Sequence, residues 1–133
     1  MNEVSELRVA LTVEDFDEAL AFYRDTVGLE QLADWSGEHG RVVIFSGGRA
    51  TLELFDAAQA AYVDEVEAGR RVSGTVRLAF EVVDSHATAR RLVAGGATEV
   101  APPVTTPWGD RNARVQAPDG MQLTLFSSSD ASG

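Results

Sequence analysis

The chain has no cysteine, which excludes disulfides, zinc-thiolate sites and thiol nucleophiles and fits a reducing compartment. Basic residues are scarce: 11 Lys and Arg stand against 21 Asp and Glu, a net charge of -10, so a polyanion such as nucleic acid would be repelled at long range. The same field would mildly attract a cationic small molecule, although an acidic surface kept for solubility is the plainer reading. Long apolar runs are also missing. Val42 to Phe45 is among the longest and is far too short to cross a bilayer. The opening Met-Asn-Glu-Val-Ser-Glu is acidic and lacks the basic start of an export signal. Together these absences predict a cytoplasmic protein with no membrane and no nucleic-acid partner.

The 133 residues, 44% hydrophobic and 24% charged, suit one globular domain with one core. From Leu7 to Val13 apolar and polar residues alternate as in a strand. Asp15 offers a side-chain cap, and Phe16, Leu20, Tyr23 and Val27 then recur at helical spacing up to a stop at Gly28. Leu29 to Trp35, Arg41 to Phe45 and Ala50 to Phe55 are short strand-like runs separated by Ser-Gly-Glu-His-Gly and Ser-Gly-Gly-Arg turns. The first half therefore reads βαβββ over residues 6–56. Residues 57–74 form a linker whose Ala-rich start predicts a connecting helix or an ordered loop.

The order then repeats over residues 75–127: strand Thr75 to Val82, a helix from near Asp84 to Gly95-Gly96, and strands near Thr98 to Ala101, Asn112 to Gln116 and Gln122 to Phe126. Residues 7–15 align with residues 76–84 at an offset of 69, and Thr51 to Phe55 align with Gln122 to Phe126 at an offset of 71. Residues 128–133 read as a flexible tail. The expected class is α+β, with two βαβββ modules forming a cupped mixed sheet.

Alternation puts Val9, Leu11 and Val13 on one face of the first strand and Arg8, Ala10 and Thr12 on the other. In the second copy Leu78, Phe80 and Val82 oppose Arg77, Ala79 and Glu81; Leu52 and Leu54 oppose Glu53 and Phe55; Leu123 and Leu125 oppose Thr124 and Phe126. Such a mixed face is either solvated or lines a cavity whose buried charges are paired.

Val13-Glu14-Asp15-Phe16 followed by Ala21 to Leu29, the turn Ala117-Pro118-Asp119-Gly120 and the segment Pro107-Trp108-Gly109 resemble the vicinal-oxygen-chelate family, which includes glyoxalases and bleomycin-resistance proteins. The resemblance covers residues 6–127. In the metal-dependent members, four inward positions on four strands carry His, Glu or Gln ligands. The matching positions here are Arg8, Glu53, Arg77 and Thr124, and only Glu53 could ligate a divalent cation. The resemblance thus implies a member without metal or cofactor that binds and sequesters a small, flat natural product as an antibiotic-resistance protein does, with a homodimer as its assembly. Arg8, Glu53, Arg77 and Thr124 are then the polar ligand contacts, and Trp35, Phe45, Phe55, Trp108 and Phe126 the aromatic wall. In that reading no residue is catalytic. The alternative is a metal-independent isomerase or cyclase with Glu53 as acid or base. A structural module with an empty cup is a third reading. His39 and His86 are expected at the surface.

Overall fold

The computed structural model describes residues 3–128. These form eight strands and three helices: β1 (Val4–Thr12), α1 (Phe16–Ala21), β2 (Glu30–Asp34), β3 (Val42–Ser46), β4 (Ala50–Phe55), α2 (Ala57–Ala68), β5 (Val76–Val82), α3 (Ser85–Ala94), β6 (Thr98–Thr105), β7 (Asp110–Gln116) and β8 (Gln122–Ser128). Of the expected tail, residues 128–133, Ser128 belongs to β8 and the rest lie outside the described residues.

The strands make one mixed sheet in the order β2-β3-β4-β1-β5-β8-β7-β6. Each module contributes four strands with the same pairing, β1 parallel to β4 in the first and β5 parallel to β8 in the second. The two modules join where β1 runs antiparallel to β5. Both halves of this sheet come from one chain, so the duplicated sequence is a duplicated structure with its pseudo-dyad between two central strands. No described helix is long and apolar enough to cross a membrane.

One face of the sheet carries α1 and α3. Phe16, Val43, Phe45 and Leu54 form the core beneath α1, and Val82, Ala89, Ala113, Val115 and Leu125 the core beneath α3. The opposite face holds α2 over a third cluster of Ala10, Val42, Phe55, Ala60 and Val63. Each helix opens on an aspartate whose side chain accepts a backbone N–H of the first turn: Asp15 from Glu18, Asp56 from Gln59 and Asp84 from Ala87.

Two local departures have clear causes. The first helix widens over Phe22–Thr26 into a π turn, with Val27 N–H donating to the Phe22 carbonyl at 2.9 Å. The longer repeat rotates Val27 off the buried face, leaving it half exposed, while Leu29 takes the place against the core that the helical spacing had assigned to Val27. Strand β6 runs past Ala101 through Pro102 and Pro103, and its pairing with β7 shifts there. Prolines are tolerated because β6 is an edge strand, where a missing N–H costs no interior ladder bond.

Candidate functional site

The mixed face encloses a cavity of about 590 Å³ lined from both modules and roofed by α2. Its floor is built by register. Ala10 pairs with Glu53 on one side and Arg77 on the other; Ala79 pairs with Arg8 on one side and Thr124 on the other. Strands lie about 4.8 Å apart, so each small alanine leaves a gap flanked by two longer polar side chains. Arg8, Glu53, Arg77 and Thr124 all reach this one cavity.

The aromatic candidates divide. Trp35, Phe55, Trp108 and Phe126 line the cavity, the tryptophans 52% and 45% exposed at its mouth. Phe45 does not. It pairs with Leu52, so alternation sends its ring to the other face of the sheet, where it is fully buried against Phe16, Val43 and Leu54. Phe45 is therefore removed from the candidate wall and assigned to the core; Val42 takes the cavity side of β3.

Several residues in and behind the cavity wall were not singled out from the sequence. Glu67 and Asp64 of α2 are buried and face Arg114 of β7, itself 0% exposed. The Arg114 guanidinium donates to Asp64 at 2.9 Å and to Glu67 at 2.8 Å. Asn112 donates to Glu67 at 2.8 Å, and Thr124 Oγ1 donates to Glu67 at 2.7 Å while accepting from Arg77 at 2.8 Å. These bonds fasten the roof to the floor. Asp64 also accepts from the Val72 and Ser73 backbone N–H groups, each at 2.8 Å, and from the Ser73 hydroxyl at 2.7 Å. Burial opposes its ionisation, yet these donors together hold its carboxyl well below the usual carboxylate range. At the mouth His39, exposed as expected, stacks on Tyr62 with ring centroids 3.8 Å apart, and Tyr62 lies 6.1 Å from Trp108. His86 is half buried, not at the surface: its Nδ1 lies 2.8 Å from Arg111, on the face away from this cavity.

The charges on the floor are unequally matched. Arg8 donates to Glu6 at 3.0 Å, lies over Phe126 at 4.8 Å, and comes within 3.8 Å of Glu53. Glu53 accepts no hydrogen bond from any described residue and is 8% exposed. Burial pushes its carboxyl above the ordinary value against the pull of Arg8 and Arg77. Arg77 is 6% exposed, sits over Phe55 at 5.6 Å and lies under the same burial penalty, which lowers its pKa.

This donor set does not fit a divalent metal. Two of the four floor positions are guanidiniums, which have no free acceptor, and the Thr124 hydroxyl is committed to Glu67, Arg77 and Arg114. Among the described residues no group of three or more His, Asp or Glu is placed to hold a metal. What the floor can do is pair with charge, donate and accept hydrogen bonds, and move a proton at Glu53.

Solved structures similar to the chain include methylmalonyl-CoA epimerase from Mycobacterium tuberculosis, 22% identical, TM-score 0.67, covering 97% of this chain and 91% of that one. The Streptomyces coelicolor methylmalonyl-CoA epimerase, in complex with 2-nitronate-propionyl-CoA, is 20% identical with TM-score 0.67 over 95% and 99%. A glyoxalase/bleomycin resistance protein/dioxygenase superfamily member from Vibrio splendidus 12B01 is 14% identical with TM-score 0.64 over 92% and 98%. No curated protein matches the chain. At these identities the likeness is one of fold. The family model described as Glyoxalase/Bleomycin resistance protein/Dioxygenase superfamily matches residues 7–125, and with the paired βαβββ modules and cupped sheet it places the chain in that superfamily.

Proposed function

We propose that the chain binds and retains a small, flat aromatic molecule in the cavity beneath α2. The observation that carries this is the mouth: Trp35 from the first module and Trp108 from the second stand half exposed beside Tyr62 and His39, around a cavity of about 590 Å³. Large aromatic faces left in water are costly unless something covers them, and stacking on a planar ligand buries that area. The volume suits a drug-sized molecule. Sequestration of a toxic natural product, as an antibiotic-resistance protein would perform, needs only such binding. The test is titration of planar antibiotics with tryptophan fluorescence as readout. Saturable quenching at micromolar concentration is expected; a flat response across the class removes the proposal.

A second reading rests on Glu53. A buried carboxyl with a raised pKa and no hydrogen-bond donor, beside two guanidiniums able to stabilise an oxyanion, is suited to proton transfer in a metal-independent isomerisation or cyclisation. Glu53→Gln distinguishes the two. An enzyme loses turnover and keeps affinity, while a sequestering protein has no turnover to lose.

A further inference from the structure

We propose that the ligand bears a carboxylate, received by Arg77 at the floor of the cavity; this rests on the reading of the cavity as an aromatic binding site. The inference starts from how buried charge is distributed. Arg114 is paired directly with Asp64 and Glu67, Asp64 also with Arg71, and Arg8 with Glu6 and, at longer range, Glu53. Arg77 makes no salt bridge with any described residue. Its single hydrogen bond among them goes from Nη1 to the neutral hydroxyl of Thr124. Glu67, Glu53 and Asp64 support this guanidinium only from beyond salt-bridge distance, so at 6% exposure it keeps a burial cost that a ligand anion in direct contact would relieve.

The geometry favours a planar oxyanion. The Thr124 proton is given to Glu67, so Thr124 presents a lone pair to Arg77 and fixes one of its nitrogens. Nε and Nη2 form one edge of the fork, carry no described partner, and match the two oxygens of a carboxylate. Room for it exists because Arg77 and Glu53 flank Ala10, two strand spacings or about 10 Å apart along the floor. On the floor itself a cationic group would meet Glu53, which already has Arg8 at 3.8 Å and Arg77 as its second positive neighbour. Of the two buried guanidiniums, Arg114 holds both Asp64 and Glu67 directly, while Arg77 has no carboxylate within salt-bridge distance among the described residues.

Three soluble indoles differing in charge test this by calorimetry at neutral pH: indole-3-acetate, indole-3-acetamide and tryptamine. The expected order is the acetate tightest, by about tenfold over the acetamide, with tryptamine weakest. Arg77→Gln should bring the acetate down to the acetamide level, and Arg77→Lys, which keeps the charge but not the fork, should restore part of the difference. Acetamide or tryptamine binding as tightly as the acetate in the unaltered protein overturns the carboxylate assignment and leaves the aromatic-site reading standing. No saturable binding of any of the three overturns both.

Discussion

Glu53 and Arg77 face the same alanine from opposite sides: each pairs in register with Ala10, so a carboxyl and a guanidinium flank one small residue of the sheet beneath the cavity. This places an acid with a raised pKa and a cation without a carboxylate partner on the two sides of one gap, and the predictions below turn on that pair and on what holds the roof above it.

Binding of an aromatic acid should weaken as pH rises through the raised pKa of Glu53. Deprotonation there adds a negative charge beside the incoming anion, in surroundings set by Arg8, Arg77, Glu67 and Glu6. Indole-3-acetate affinity measured from acid to neutral pH should therefore fall, and Glu53→Gln should flatten the profile. A profile equally steep in the variant would assign the effect to another group.

Arg114→Ala should be strongly destabilising. It leaves Asp64 and Glu67 buried without their shared partner, a loss of about 3–5 kcal/mol for a broken buried pair. Urea unfolding followed by far-ultraviolet dichroism reads it directly, and a change within about 0.5 kcal/mol would show that α2 is held by other contacts.

Asp64 also makes stability depend on pH. Its folded pKa is depressed, so its contribution is fully present above the unfolded value of about 3.9 and is lost as pH falls from there through the depressed native value. The difference in urea midpoint between the unaltered protein and Asp64→Asn should thus be large at pH 7 and shrink on acidification below about pH 4. A gap that stays constant would contradict the linkage.

Gly40 holds the loop of residues 37–40 against the start of α2. At φ +147, a Cβ would strike the Gln59 backbone nitrogen and the Asp56 carboxylate at 2.6 Å, the two atoms that form the α2 cap. Gly40→Ala should cost on the order of 2 kcal/mol and disturb the stacking of His39 on Tyr62, weakening ligand retention as well as stability. Unchanged quenching by a bound ligand would separate that stack from the binding site.

The homodimer implied by the family resemblance remains a proposal, tested by light scattering: a mass twice that of the chain is expected, and a single-chain mass would withdraw it.

What the sequence alone determined is whatever depends on local periodicity. Alternation put Arg8, Glu53, Arg77 and Thr124 on one side of their strands, aspartates marked the helix starts, and the 69-residue offset made the two modules equivalent. These signals are legible because a strand reverses face at each residue and a cap acts within one turn. Tertiary structure alone decided the rest. Phe45 looked like a wall residue until strand register tied it to Leu52. Ala60, Val63, Asp64 and Glu67 share the buried face of α2, but a face half apolar and half acidic has no apolar period to detect; its meaning comes from Arg114, some fifty residues away in the chain, which neutralises the acids. That Arg77 has no carboxylate within salt-bridge distance likewise follows from Arg114 taking both Asp64 and Glu67, and that distribution exists only once the chain has folded.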